Sequence, residues 1–342
     1  MSLTLDKVKE IGKGRNFLLN KSDYVFQRVS YRNSEFVVYE IMSKAKPFYT
    51  IADDDKYEEQ WRHSAVIRVT KIPDNENQIK ELFDLSEMRI NIKTKECPDI
   101  LTFYDQGLTQ YGNEIYHLIR YDDPIRTFDH FINVEHRAVE IDPLDCFRLI
   151  RGVLSAFVYL EDNDYILTQF DEKNLYVGSF SEDRGCFFKI MFKGHKNKDL
   201  ILTTIKRRYQ FSPPETESLD IYKSYSFSAG LMVLYSIYVT NGKLGLFPTN
   251  IYEDQKHIKD YINEGATLLY KDNSDTEKKL LFINLFFDIL EPDLKKRKTA
   301  KDLLSYTYFK EYEKLDYDEY LKEIEENEKA KQKGRDTEES SS

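Results

Sequence analysis

Cysteine is scarce in this sequence, and its three residues, Cys97, Cys146 and Cys186, lie far apart. An odd number of widely separated thiols supplies neither a disulfide framework nor the paired spacing of a zinc site. Residues 1–10 lack the apolar stretch of a signal peptide. The longest apolar run, residues 227–239, is too short to span a membrane and contains serine and tyrosine. These absences favour reduced thiols in a cytoplasmic protein, or in an assembly exposed to the cytosol such as the cytoskeleton.

Positive charge is in deficit as well. The 342 residues include 50 Lys and Arg against 60 Asp and Glu, which gives a net charge of -10. Because nucleic acid and anionic membranes need a basic footprint, this balance disfavours nonspecific binding to either. With 41% hydrophobic and 32% charged residues, the chain has the composition of a soluble globular protein. Its length suits one large domain or two lobes.

The patterns that are present change along the chain, with strands first and helices later. β-Branched and aromatic residues predict the strands, and apolar residues at helical spacing predict the helices. The predicted strands span residues 24–31, 36–42, 65–70, 100–104 and 115–120, with turns at 32–35 and 111–113. The predicted helices span residues 77–93, 144–162, 227–239, 277–290 and 300–308. This order, with one helix among the strands, indicates an α+β fold with two lobes.

The predicted layout has three parts. Residues 1–121 form a small, mostly antiparallel β lobe with one helix, and residues 122–311 form a larger helical lobe. Residues 312–342 are dense in glutamate and lysine, which predicts a solvated helix that frays into a disordered end. A plain charged tail and a helix that docks on a partner both stay open for this last part.

Residues 165–177 resemble the catalytic loop of eukaryotic-type protein kinases, H-R-D-L-x-x-x-N. Asn174 stands at the position of the pattern's Asn, and Leu167, Thr168 and Gln169 stand where its His, Arg and Asp belong. In that family the Asp carboxylate orients the substrate hydroxyl and accepts its proton. A glutamine amide has no comparable basicity, so Gln169 cannot serve as that base.

Residues 188–194 resemble the strand that leads into the D-F-G motif of the same family. On this resemblance Phe192 replaces the Asp that holds Mg²⁺, Lys193 replaces the Phe, and Gly194 is retained. A phenyl ring cannot coordinate a cation that demands oxygen ligands, so no metal site is expected. Two interpretations of the Lys193 ammonium stay open, namely contact with a phosphate without metal and simple exposure to solvent.

Later segments resemble structural motifs of the family. Residues 213–215 resemble the end of A-P-E, with Pro214 and Glu215 at its last two positions. Residues 291–304 resemble the late segment D-P-x-x-R-x-T-A-x-x-L-L, whose Arg corresponds to Arg297. In the family this Arg pairs with the Glu of A-P-E. The resemblance therefore implies a structural ion pair between Arg297 and Glu215.

The first lobe contains counterparts of the family's nucleotide site. Residues 65–68 resemble V-A-I-K, which places Arg68 where the nucleotide-binding lysine belongs. Lys71, in a shifted register, is the alternative. Glu87 of the predicted helix resembles the glutamate that pairs with this lysine. An arginine preserves such an ion pair, although its planar group is bulkier than an ammonium.

The rest of the nucleotide site matches the family less completely. Residues 116–121 resemble the approach to the hinge, with Ile119 at the gatekeeper position and Tyr121 at the end. Residues 11–14 resemble the start of G-x-G-x-x-G without its third glycine, and a plain N-terminal turn is the alternative. If the first hairpin is instead 24–42, its turn has no glycine, which hinders close approach of backbone to phosphate.

The base, the metal ligand, the lysine and the glycine loop depart from the family pattern together, although each does a different part of phosphoryl transfer. The resemblance thus implies a bilobal kinase-like fold without catalysis or cofactor: a pseudokinase acting as scaffold, structural subunit or allosteric partner in a protein assembly. The alternative is a divergent Ser/Thr protein kinase that binds ATP weakly through Lys193, Arg68 and Asn174. We expect protein partners, no nucleic acid and no membrane span.

Overall fold

The computed structural model describes residues 3–19, 24–32, 34–43, 64–92, 96–122, 126–130, 141–179, 186–196, 203–204, 211–243, 247, 257–271 and 275–316. They form a mixed α+β protein with two compact units. The first unit contains Met1–Thr127, Asp162–Gly178 and Lys189–Leu200, and the second contains Phe128–Glu161, Ser179–Phe188 and Ile201–Ser342. The units are therefore interleaved along the chain, whereas the predicted lobes are contiguous.

The elements are numbered in chain order. The first are α1 (Leu5–Ile11), β1 (Tyr24–Arg32), β2 (Phe36–Ser43), β3 (Ser64–Lys71), α2 (Glu76–Asn91), β4 (Phe103–Tyr111), β5 (Glu114–Asp122) and β6 (Arg126–Thr127). Next come α3 (Phe128–His130), α4 (Pro143–Asp162), β7 (Tyr165–Leu167), β8 (Leu175–Ser179), β9 (Cys186–Ile190), β10 (Gly194–Lys196), β11 (Thr203–Thr204) and β12 (Glu217–Ser218). The last are α5 (Ile221–Thr240), α6 (Ile258–Leu269), α7 (Thr276–Ile289), α8 (Ala300–Leu304) and α9 (residues 307–316).

Strands β1 to β5 form one antiparallel sheet in the order β1-β2-β3-β5-β4. The predicted hairpins are confirmed. The second of them turns at Gly112 and Asn113, and Gly112 has a φ of 59°, a conformation that glycine adopts without steric cost. The sheet gives the first unit a layer on which α2 packs.

The strand predicted at residues 100–104 is wrong in position, because β4 begins only at Phe103. Ile100 forms an isolated parallel bridge with Ile190. The N–H of Leu101 donates to the Ile190 carbonyl at 2.9 Å. The backbone of this segment is therefore hydrogen-bonded to the end of β9. The strand that joins the five-stranded sheet is formed by the more polar residues that follow, Phe103–Tyr111.

Helix α1 corrects the interpretation of residues 11–14 as the start of a glycine-rich loop. Gly12 ends the helix, and its N–H donates to the Val8 carbonyl at 3.0 Å. Gly14 has a φ of 90° and lies in the turn that follows. The first hairpin is instead β1–β2, whose connection contains no glycine.

Helix α2 turns one face toward the core of the first unit. Its N-cap is Asn75, whose side chain accepts hydrogen bonds from two N–H groups of the first turn. Ile79 and Phe83 are fully buried in a hydrophobic cluster with α1 and the sheet. Ser86 and Arg89 continue the same face at helical spacing, so a charged side chain is carried into the interior.

His117 of β5 is a buried neutral imidazole. It is 1% exposed, and its Nε2 lies 2.9 Å from Oε1 of the equally buried Gln106. Burial, and then the positive charges of Arg68 and Arg89, lower its pKa from 6.5 to about 3. In mild acid the His117 imidazole is therefore neutral in the folded protein, whereas in the unfolded chain it binds a proton.

We expect acid to destabilise the protein through His117. Because the pKa is lower in the folded state, the unfolded chain binds more protons between pH 6.5 and about 3, and stability falls as pH falls through this interval. The loss is at most about 1.4 kcal/mol per pH unit. Urea unfolding between pH 7 and pH 5 measures it. His117→Gln should flatten the dependence, and His257→Gln, which alters an exposed histidine, should leave it unchanged. An unaltered slope in His117→Gln would contradict the assignment.

Helix α5 forms the centre of the second unit. Every residue from 221 to 239 except Lys223 is buried, and α6, α7 and α8 pack against the helix. Its serine hydroxyls donate to carbonyls one turn earlier, as Ser226 does to Tyr222 and Ser236 to Met232, both at 2.8 Å. These bonds allow polar side chains to be buried without losing a hydrogen-bond partner.

Two predicted helices differ in their bounds from the structure, and one helix of the structure was not predicted. Helix α5 begins at Ile221, six residues before the predicted start at 227, because Asp220 caps it by accepting a hydrogen bond from the Lys223 N–H. Helix α6 has no counterpart among the predicted helices. The helix predicted over 300–308 is two helices in the structure, because α8 ends at Leu304 and α9 begins at residue 307.

Helix α9 packs on α4 within the second unit. The rings of Tyr312 and Phe147 are stacked with centroids 5.6 Å apart. Arg148 of α4 pairs with Asp316 at 2.9 Å. Ordered packing thus continues past residue 312, where the predicted tail begins, and the rest of that tail lies outside the described residues.

Candidate functional site

Pairing of β7 with β10 brings two of the segments that resemble a kinase together within the first unit. Gly194 is the pairing partner of Leu167. The Lys193 carbonyl accepts hydrogen bonds from the N–H of Thr168 at 2.9 Å and from its hydroxyl at 3.1 Å. Thr168 and Lys193 are therefore neighbours in space, and Gln169 and Phe192 lie next to them in the chain.

Gly194 is required by the close approach of these two strands. A Cβ atom on this residue would lie 1.8 Å from the carbonyl oxygen of Ile166 and 2.8 Å from its carbon. Real Cβ atoms do not come so close to backbone, so no other residue fits here without moving β7 or β10. The close packing of β7 against β10 therefore explains why residue 194 is a glycine, without any catalytic role for it.

A chain of side-chain hydrogen bonds connects Lys193 with the loop after β7. The Lys193 ammonium donates to Gln169 Oε1 at 2.7 Å, and Gln169 Nε2 donates to Oδ2 of Asp171. Oδ1 of Asp171 accepts from the side-chain amide of Asn174 at 2.9 Å and from the N–H of Lys173 at 2.9 Å. Asn174 and Gln169, two of the predicted site residues, are thus held by the loop itself.

Asp171 is a site residue that the sequence analysis missed. It is 1% exposed, and both of its oxygens accept hydrogen bonds from loop residues. The signal for it was the Asp-x-x-Asn spacing, which is typical of a side chain that bonds to N–H groups two and three residues later. The geometry assigns this carboxylate to holding the loop in shape.

Phe192, the expected counterpart of a metal-binding Asp, has an apolar ring. The ring is fully buried and meets Tyr165 edge to face, with centroids 5.4 Å apart. Within the described residues, no group of three or more His, Cys, Asp and Glu side chains could hold a metal ion. The ring therefore contributes packing at this position and offers no oxygen ligand.

Arg68 lies on β3 between its partners Val38 and Ile119. Its guanidinium carbon is 3.7 Å from the centroid of the Phe36 ring, a cation–π contact. Ile119 and Tyr121 of β5 are buried in the hydrophobic cluster against which Phe36 packs. These three predicted residues therefore share one part of the first unit.

The predicted ion pair between Arg68 and Glu87 is absent from the described residues. Glu87 Oε2 instead lies 3.7 Å from Nε of Arg15, which follows the turn after α1. The reason is the helical period, because two residues rotate a side chain by about 200°, and Arg89 of α2 takes the inward face. Lys71, the alternative to Arg68, is the last residue of β3 and pairs with the exposed Glu114 of β5.

Arg89 is the second site residue that the sequence analysis missed. It is 7% exposed, its Nε donates to the Phe192 carbonyl at 2.7 Å, and its guanidinium carbon lies 5.1 Å from the centroid of the Phe103 ring. Burial, and then the charge of Arg68, lower its pKa to about 9. Its spacing from Ile79 and Phe83 was the only sequence signal that it points inward.

The ion pair predicted between Arg297 and Glu215 is present in the second unit. Arg297 Nη1 lies 2.7 Å from Glu215 Oε1, and Nη2 lies 3.3 Å from Oε2. The arginine side chain is fully buried, and its guanidinium carbon is 4.6 Å from the centroid of the Phe227 ring. The neighbouring Pro214 is half-buried. This arrangement is structural and offers no reactive group to solvent.

No protein-family model matches this chain, and no curated protein matches it. Of the helices described, none combines the length and the hydropathy that crossing a membrane requires. What the site does is therefore inferred from its own residues.

Proposed function

We propose that this protein is a kinase-like protein without phosphotransferase activity, which works by binding other proteins as a scaffold, structural subunit or allosteric partner. One observation carries the proposal: a buried phenyl ring and a lysine–glutamine hydrogen bond occupy the positions where a kinase of this pattern holds its metal ligand and its base. The sheet order, the neighbouring position of the two site segments and the Arg297–Glu215 pair support the resemblance on which the proposal rests.

The described residues at the expected base and metal positions, Gln169 and Phe192, do not have the groups that phosphoryl transfer needs. Catalysis of this reaction consists mainly of positioning and of neutralising the charge on the transferred group, with a carboxylate that orients the hydroxyl nucleophile. Gln169 has a neutral amide whose two ends are both engaged, by Lys193 and by Asp171. Phe192 cannot bind the metal ion that normally offsets the phosphate charge.

Asp171 is not a replacement base. Its oxygens accept hydrogen bonds from Gln169, Lys173 and Asn174, which fixes the carboxylate inside the loop. A general base must reach the proton of the substrate hydroxyl within hydrogen-bond distance. Its burial at 1% exposure leaves no room for that contact. The divergent-kinase alternative is therefore not favoured by Asp171.

We expect no transfer of labelled phosphate from ATP, either to the protein itself or to generic peptide substrates, with Mg²⁺ or with Mn²⁺. The measurement is incorporation over hours at micromolar protein concentration, compared with a heat-denatured sample. Asp171→Asn is the matched variant, since it removes the loop carboxylate that accepts a hydrogen bond from Gln169. Incorporation by the wild-type protein that disappears in Asp171→Asn would overturn the proposal and establish an atypical enzyme.

The binding role has a separate test. The tagged protein, purified from its source under native conditions, should elute in a complex of fixed stoichiometry, whose mass is measured by light scattering. Gln169→Ala should leave that mass unchanged, because a scaffold does not depend on the degenerate base position. A monomer in every preparation, or a complex that forms only with an intact Gln169, would count against a scaffolding role.

A further inference from the structure

Strand β1 forms one edge of the five-stranded sheet, and within the described residues its neighbouring strand is β2 alone. The other side of β1 therefore presents backbone N–H and C=O groups for which the described part of the sheet provides no partner strand. Every residue from 25 to 30 is exposed, so neither face of this stretch is covered. An edge that is open on its side and on both faces has room for a further strand.

Exposed apolar side chains are concentrated on this strand. Among the described residues, the exposed large hydrophobic side chains include Val25, Phe26 and Val29, which are 50%, 43% and 51% exposed. Phe26 and Val29 lie opposite Ile41 and Tyr39 of β2, so they extend the sheet face that contains the buried Ile41. Exposed apolar side chains that continue a buried cluster mark a surface that another chain covers.

The strand is also basic, because it contains Arg28 and Arg32 and no acidic residue. Arg28 pairs with Glu40 of β2 and is nevertheless 75% exposed. Arg32 is exposed and forms no ion pair within the described part of the chain. Opposite charges on neighbouring strands attract and like charges repel, so this edge favours a strand with acidic side chains.

A second copy of β1 is a poor partner for this edge. Pairing of two copies would bring the arginines of both strands together along one seam, without a carboxylate from either strand. The register of β1 with β2 also shifts between Phe26 and Arg28 and again between Val29 and Tyr31. Such irregularities bend a strand and hinder edge-to-edge pairing of two sheets, whereas a peptide adapts its backbone to the bend.

We propose that β1 is a docking edge for an extended segment of a partner protein in which apolar and acidic residues alternate. The segment adds a strand to the sheet, so its backbone supplies the hydrogen bonds and its successive side chains meet opposite faces. Its apolar side chains lie beside Phe26 and Val29, and its acidic side chains lie beside Arg28 on the other face. The inference rests on the proposed protein-binding function and deepens it by naming a surface and the chemistry of the partner.

Fluorescence anisotropy tests the proposal with a labelled peptide that alternates valine with glutamate, and with the same peptide that has lysine in place of glutamate. We expect the acidic peptide to bind at micromolar concentration and the basic peptide to bind at least about tenfold more weakly. Added salt should weaken binding of the acidic peptide. Bound peptide should also slow hydrogen exchange in residues 24–32. No binding of the acidic peptide at millimolar concentration, or equal binding of the two peptides, would overturn the proposal.

Variants with altered exposed side chains locate the docking edge. Val29→Glu replaces an apolar contact by a like charge, and Arg32→Glu inverts the charge at the end of the strand. Each should weaken binding of the acidic peptide by about tenfold or more. Leu280→Glu is the matched control, because Leu280 of α7 is 54% exposed, as Val29 nearly is, and should bind as the wild type does. Equal binding by Val29→Glu and Leu280→Glu would contradict the assignment.

Other occupants of the edge give different results. If a second copy occupied it, light scattering of the protein alone would show a dimer that Val29→Glu dissociates. If another part of the same chain covered it, the β1 amides that do not donate to β2 would already exchange slowly without peptide. Either result would overturn the proposal. Failure of the peptide to bind would refute this docking edge alone, because the complex of fixed stoichiometry that tests the protein-binding function is measured separately.

Discussion

Replacing Arg297 by alanine should lower the free energy of unfolding by about 3–5 kcal/mol, the cost of leaving a buried charge without its partner. Arg297 is fully buried, and Glu215 is 13% exposed, so water cannot take over the contact. The guanidinium also donates to the Glu291 carbonyl at 2.8 Å and to the Lys223 carbonyl at 3.2 Å. A third backbone hydrogen bond goes to the Pro292 carbonyl at 3.4 Å, so the substitution removes an ion pair and three hydrogen bonds to backbone and opens a cavity.

Urea unfolding followed by circular dichroism measures this effect. Lys296→Ala is the matched control, because this neighbouring lysine is 74% exposed and pairs with Asp293 on the surface. Its loss should cost less than about 1 kcal/mol. Arg297→Lys should lie between the two, since it retains the charge but loses the planar fork. If Arg297→Ala and Lys296→Ala proved equally stable, the buried pair would not be a structural element of the second unit.

Gly194→Ala should destabilise the protein by about 3 kcal/mol or more, the upper part of the range for overpacking a rigid interior. The added methyl group would lie 1.8 Å from the Ile166 carbonyl oxygen, which belongs to backbone and cannot rotate away. Strand β10 would have to separate from β7, and the contacts between Thr168 and Lys193 would be lost with it.

Gly112→Ala is the control for this substitution. Gly112 has a φ of 59° but nothing within 4 Å of its virtual Cβ, so alanine costs only the strained backbone, about 1 kcal/mol. The two variants separate steric overlap from conformational preference. Thermal unfolding of both proteins compares them directly, and a Gly194→Ala variant as stable as Gly112→Ala would show that β7 and β10 are not held at this distance.

Elements with a clear period could be predicted from the sequence. The apolar residues of α2, α4 and α7 recur at helical spacing, and β1, β2 and β3 are rich in β-branched and aromatic residues, so all six were found within a few residues of their bounds. Helix α5 was found late in its course, because a helix that is buried on every side has no polar face to mark its period. Strand β4 was displaced because Gln106, a polar residue, is buried there against His117.

Contacts of the site could be predicted where sequence motifs fix the positions of both residues along the chain. They could not be predicted where they depend on how a side chain is rotated about the axis of α2, or on the conformation of the loop after β7. The Arg297–Glu215 pair followed from two separated patterns. The pairing of Glu87 with Arg68 did not form, because Arg89 occupies the inward face of α2. Asp171 and its bonds depend on a local loop conformation that the order of residues suggests only weakly.

The burial of α5 has a consequence for folding while the protein is being synthesised. Phe157 of α4, which precedes α5, contacts Tyr222 and Tyr225, but helices α6, α7 and α8, which also pack against α5, all follow it in the sequence. Until these three helices are synthesised, much of the surface of this 20-residue helix is exposed on the nascent chain, where it is open to aggregation and to capture by chaperones. Synthesis that stops between α5 and α7 should accordingly yield an insoluble product, and slow translation over this stretch should increase the chain's dependence on chaperones.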